Sequence, residues 1–241
     1  MFVYKMSDYD AMSRKAASIL ASQVVLKPDS VLGLATGSTP LGLYSCLVEW
    51  NKHGDVDFSG VNSVNLDEYI GLTPDHPQSY RRFMQENLFD HINIPAENIN
   101  VPDGTESNAE KECRRYEAVI ERLGGVDIQL LGMGHNGHIG FNEPDDVFVM
   151  DTHAVALTES TIQANKRFFE NESDVPRSAY TMGIRTIMNA KRIVMVVSGQ
   201  EKAEIVKQAF FGPVTPKVPA SILQLHPNVM LVGDAGALSA I

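Results

Sequence analysis

A repeated grammar constrains this chain more than any other feature: a short apolar run, a turn bearing Gly or Asp, then a helix-like segment. The runs are SVLGLATG (30–37), VNSVNLDE (61–68), VDIQLLGMG (126–134), RIVMVVSG (192–199) and NVMLVGD (228–234). Between and before them lie amphipathic stretches at 7–24, 40–53, 79–91, 109–123 and 200–211. Several runs are apolar at consecutive positions, the pattern of strands covered on both faces. Alternating strand and helix signals predict an α/β fold: a doubly wound, mostly parallel sheet with helices on both faces. The sheet is expected to begin near residue 30, and the whole of 1–241 to form a single domain.

Charge and cysteine usage narrow the function. Lys and Arg total 20 against 30 Asp and Glu, a formal charge of −10, which argues against nucleic acid as a partner. An anionic ligand would need positive charge gathered locally. No apolar run approaches the roughly 20 residues of a membrane span, and the first residues show no basic segment leading into an apolar one. The cysteines, Cys46 and Cys113, stand far apart in helix-like contexts. The expectation is a reduced, cytoplasmic protein.

In open parallel sheets, ligands bind beyond the carboxyl ends of the strands, so the residues after each run carry the chemistry. After the first run, Thr36, Gly37, Ser38 and Thr39 lead into a helix opened by Pro40, with Ser or Thr placed to cap it. Such a turn suits phosphate at the positive end of a helix dipole; it equally suits a capped helix with no ligand. After the second run, Asp67 and Glu68 are adjacent. If Asp67 ends the strand, the two point to opposite sides and are not an acid/base dyad. A helix-capping role is the alternative.

The stretch GMGHNGHIGFNEP (132–144) is the densest. Four glycines among its first nine residues exclude a regular helix. His135 and His138 have a spacing that metal ligands use, but no Cys or obvious third ligand is near. A single His oriented by a carboxylate, moving protons near neutral pH, fits better. Lys202 falls in the first turn of the helix after the fourth run, where a cation suits a site that meets an anion. Arg167, beside Phe168 and Phe169, has the side chain for a bidentate phosphate clamp, or for packing over the rings. Together these residues describe a site for a small phosphorylated metabolite undergoing proton transfer.

LATGSTP, NLDEY, GMGHNGHIGFNEP, RFF, the EKA helix start and LQLHPN (223–228) occur in this order, and the chain resembles the glucosamine-6-phosphate deaminases over essentially its whole length. The resemblance implies a modified Rossmann-like fold and conversion of glucosamine 6-phosphate and water to fructose 6-phosphate and ammonium. It implies that His138 promotes ring opening, that Asn136 and Glu143 orient it, and that Asp67 moves a proton from C2 to C1. It assigns Thr36, Gly37, Ser38, Thr39, Arg167 and Lys202 to the phosphate grip, with neither a metal nor an organic cofactor.

Two departures matter. Some relatives carry Asp where Asn136 stands; Asn supplies no charge, which leaves Glu143 to tune His138. Longer hexameric members bind an allosteric sugar phosphate through basic residues that the stretch 145–157 lacks, so a monomer without that activator is expected. Two rivals share the fold: 6-phosphogluconolactonases, disfavoured by NLDEY and FNEP, and sugar-phosphate-sensing repressor domains, which normally carry a DNA-binding module.

Overall fold

The computed structural model describes residues 1–157, 162 and 175–241. Its strands are β1 (Phe2–Met6), β2 (Val31–Leu34), β3 (Asn62–Asn65), β4 (Asp67–Tyr69), β5 (Ile99–Asn100), β6 (Ile128–Leu131), β7 (His153–Ala156), β8 (Ser178–Thr181), β9 (Ile193–Val197) and β10 (Val229–Asp234). The helices are α1 (Tyr9–Leu26), α2 (Leu41–His53), α3 (Tyr80–Asn87), α4 (Ala109–Arg122), α5 (Ile184–Met188) and α6 (Ala203–Phe211).

Seven strands form one parallel sheet in the order β1-β10-β9-β6-β2-β3-β5. The chain steps outward from β2 to β3 and β5, then returns to place β6 on the other side of β2 and continues to β9 and β10. The order therefore reverses between β2 and β6. Each residue of β2, β6 and β9 is buried, which is why these runs read as continuously apolar. Side-chain oxygens start the helices where the sequence offers them. Asp8 accepts from Ala11 N at the head of α1, Ser79 from Arg82 N at α3 and Asn108 from Lys111 N at α4; each such cap is worth about 0.5–2 kcal/mol.

Two expectations need correction. The sheet begins at Phe2, not near residue 30: β1 pairs in parallel with β10. Its residues are exposed or half-buried, and its short MFVY start lacks the long apolar run and following turn that mark the buried strands. Nor does Asp67 end a strand of this sheet. Leu66 N still donates to Leu34 O of β2, but Leu66 O accepts from Met182 N, and Asp67 opens β4. That strand belongs to a three-stranded antiparallel sheet in the order β4-β8-β7.

One core runs from Met12 to Leu238 through the main sheet and its helices. A smaller cluster, including Tyr69, Leu72, Phe141 and Ala179, lies about the second sheet. A fully buried side chain of this size stabilises the fold by about 1.5–3 kcal/mol. Among the described residues, no helix is long and apolar enough to cross a membrane.

Candidate active site

A cleft of about 260 Å³ opens between the loops that follow β2 and β6, where the strand order reverses and such sheets bind ligands. Thr36, Gly37, Ser38 and Thr39 line it from one loop, Gly134, His138, Gly140 and Phe141 from the other, with Asp67 and Tyr80 between them. The two loops are held differently. In the first, Gly37 has φ +102°, and a Cβ there would meet nothing within 4 Å, so conformation rather than space requires the glycine. Neither Ser38 nor Thr39 caps α2. Instead Tyr9 reaches across from α1: its hydroxyl accepts from Gly42 N at 2.8 Å and lies 3.1 Å from Thr39 O and 3.2 Å from Ser38 O.

In the second loop, Gly134 N donates to His138 O at 3.0 Å and Gly137 N to Gly134 O at 3.1 Å. This folds the imidazole onto Gly134, where a Cβ would lie only 2.2–2.4 Å from the ring atoms. His138 Nδ1 stands 3.2 Å from Glu143 Oε1, close but not aligned for a hydrogen bond. Asn136 ties the group together, its amide donating to Glu143 Oε2 at 2.6 Å and its carbonyl accepting from His138 N at 3.2 Å. Burial alone would raise the Glu143 carboxyl, but His138 and the Asn136 amide outweigh it and hold the carboxyl below its ordinary value. With Nδ1 turned to Glu143, Nε2 remains as the proton-carrying atom.

Asp67 is 6% exposed. Burial, reinforced by the charge of Glu68, pushes its carboxyl up to about 8. Glu68 points away from it: its oxygens accept from the backbone N–H groups of Tyr69, Tyr80 and Arg81 at 2.8–2.9 Å, so it caps α3 together with Ser79. Burial raises Glu68 to about 7 against the pull of those amides.

Lys202 closes a 3-10 turn, Gln200–Lys202, ahead of α6. Its ammonium donates to Met133 O at 2.8 Å, Met133 being itself a cleft residue, and burial holds it below the usual lysine range. Arg167, Phe168 and Phe169 lie outside the described residues. His135 is exposed, and among the described residues no group of three or more His, Cys, Asp or Glu is placed to hold a metal ion. Sequence reasoning passed over Tyr80, whose ring is parallel to that of Phe141 at 6.1 Å and whose hydroxyl donates to that of Tyr69 at 3.1 Å. The one signal for it was its position directly after the cap Ser79.

The family model for glucosamine-6-phosphate isomerases and 6-phosphogluconolactonases matches residues 7–231. The chain belongs to this family. A glucosamine-6-phosphate deaminase of Lachnoclostridium phytofermentans is 59% identical over 232 residues, covering 96% of this chain and 98% of that one. A solved monomeric glucosamine-6-phosphate deaminase superposes with a TM-score of 0.95 at 45% identity, with full coverage of both chains. A 6-phosphogluconolactonase from Trypanosoma cruzi, at 17% identity and a TM-score of 0.80 over all of this chain and 96% of that one, shares the isomerase/lactonase family fold.

Proposed function

We propose that this chain is a glucosamine-6-phosphate deaminase, releasing fructose 6-phosphate and ammonium from glucosamine 6-phosphate and water. The observation that carries this reading is that Asp67 and His138, from different sheets, line one cleft opposite the Thr36–Thr39 loop. A sugar phosphate fits that division. Its phosphate meets the loop at the head of α2, aided by Lys202 and Arg167, and its binding energy fixes the far end of the sugar against the proton carriers. These contacts supply the local positive character that a chain of charge −10 otherwise lacks.

His138 Nε2 takes the proton from the C1 hydroxyl and returns it to the ring oxygen, opening the pyranose, while Glu143 favours the charged imidazole formed in between. The open-chain aldehyde acidifies C2. Asp67 removes that proton and gives it to C1, converting the enolamine into a C2 iminium. Water adds to C2, and the carbinolamine collapses to ketone and ammonia. A carboxyl held at about 8 is a stronger base than an exposed one, and an ammonium on C2 of the bound sugar favours its ionised form. The C2 ammonium gives the former aldehyde oxygen its proton as the enolamine forms, Asp67 carries the C2 hydrogen to C1, and both protons of the added water leave with the nitrogen as ammonium, so the scheme balances on substrate, water and these side chains. The same reading makes the protein a monomeric cytoplasmic enzyme.

The test is release of ammonium and fructose 6-phosphate by wild type and by Asp67→Asn. Equimolar release is expected, with kcat lower in the variant by about 10²–10⁴-fold. Turnover of 6-phosphogluconolactone in place of the amino sugar would move the assignment to the other branch of the family.

A further inference from the structure

The proton carriers are delivered by separate parts of the fold, and one buried hydroxyl joins them. Asp67 opens β4 of the antiparallel sheet, whereas His138 rides on the loop that leaves β6 of the parallel one. Thr181, the last residue of β8, is fully buried and is the direct cross-strand partner of Asp67. Its Oγ1 accepts from Phe141 N at 3.0 Å. The same short segment is fastened twice more: Met182 O accepts from the Asn142 amide at 2.8 Å, and Met182 N donates to Leu66 O at 2.8 Å. Thr181–Met182 is thus bonded on one side to the strand bearing the base and on the other to the loop bearing the imidazole.

Gly140 shows how closely these parts meet. It adopts φ +58°, and a Cβ on it would lie 2.8 Å from Thr181 Oγ1 and 3.5 Å from Asp67 Oδ2. A side chain at this position would therefore press against the threonine hydroxyl and stand in contact with the carboxylate, and the glycine leaves that space open. Phe141, the residue whose amide Thr181 holds, lines the cleft beside them.

We infer that Thr181 is a positioning residue, its hydroxyl fixing the Asp67 carboxylate relative to the His138–Phe141 loop so that ring opening and C2 proton transfer occur on one bound sugar. The inference rests on the deaminase reading above. It follows from chemistry that acts in turn on neighbouring atoms: the base and the imidazole must keep one spacing through both steps, and small misplacements of such groups are costly in rate. Thr181 touches no substrate in this scheme. Binding of the phosphate, made at the loop after β2, does not depend on it.

Thr181→Val keeps the shape and removes the acceptor, leaving Phe141 N buried without a partner; Thr181→Ser keeps the hydroxyl. Both are compared with wild type in the deaminase assay, using glucosamine 6-phosphate with and without deuterium at C2. For Thr181→Val, kcat is expected to fall about 10–100-fold, in line with misplacement of a reacting group, with KM changed by less than about threefold because uniform binding is retained. The C2 isotope effect on kcat should rise as proton transfer becomes more rate-limiting, and Thr181→Ser should recover most of the loss.

A Thr181→Val enzyme that melts lower but keeps wild-type kcat and isotope effect would show that the hydroxyl is only structural. Should that variant fail to fold, Thr181→Cys, with a weak sulfur acceptor in nearly the same volume, carries the identical comparison. Wild type inactive on glucosamine 6-phosphate would overturn the deaminase reading and this inference with it; active wild type with an unaffected variant overturns the inference alone.

Discussion

A buried carboxyl that stays available for chemistry destabilises the fold that holds it, and Asp67 makes that cost visible. Its carboxyl is raised to about 8 against an ordinary value of 3.8 in the unfolded chain. Below pH 4 both states hold the proton and folding is not penalised. Between pH 4 and 8 the folded state binds more protons than the unfolded one, so stability falls as pH rises, and above 8 the loss is complete. Asparagine fills the same space and never ionises. Asp67→Asn should therefore melt higher than wild type at pH 9, with the gap closing toward pH 4, while activity is lost at every pH. Thermal melts across that range check it; a gap independent of pH would mean that Asp67 is solvated in the native state. Glu68 is raised too, but its three amide partners make it a cap, so substituting it would mix lost helix contacts with relieved burial. Nothing in NLDEY announced this division. Adjacent acids in a strand imply opposite sides; that one side is a cleft and the other the head of α3 depends on residues eleven and more positions away.

The elements that deliver the site were legible in unequal measure. β2, β6, β9 and β10 are buried nearly throughout and announce themselves as apolar runs, and the rule that ligands sit beyond their carboxyl ends points to the loops that line the cleft. β7 alternates half-buried with exposed residues, and β4 and β8 find each other only across more than a hundred residues. The second sheet, with Thr181 in it, left no local signal. The glycines of the loop after β6 exclude a regular helix, and the structure gives one of them a further duty. Gly134 leaves room for the imidazole of its own loop. Gly134→Ala should therefore act on His138 without touching the base: a Cβ 2.2 Å from the ring must displace it. The expected result is a fall in kcat of about 10²-fold, the scale of a misplaced proton carrier, with a circular dichroism spectrum like wild type and phosphate-dependent binding preserved. A variant of unchanged kcat would show that the imidazole can move and still serve.

At the scale of the whole molecule, the question is whether one chain suffices. Thr36, Asp67 and His138 line one cleft within a single chain, with Glu143 and Asn136 beside His138 and Lys202 bonded to Met133 O of the same cleft. The sheet's edges are ones a monomer tolerates. β5 is only two residues long, and short edges pair poorly with other chains. β1 is longer and exposes Phe2 and Val3, but Lys5 sits in it, anchored through its ammonium to Leu238 O. The stretch 145–157 has no Arg or Lys, and the cations that reach it, Lys217 and Arg185, are paired with Asp146 and Asp151, so among the described residues it gathers no free positive charge for a phosphorylated effector. A monomer with one substrate site has no second substrate site to which binding could couple. Light scattering should give a particle of one 26.5 kDa chain, and initial rates should follow a hyperbola in glucosamine 6-phosphate that N-acetylglucosamine 6-phosphate leaves unsteepened and unshifted. A larger particle with sigmoidal rates, relieved by that effector, would place an activating surface on this chain that its charge pattern argues against.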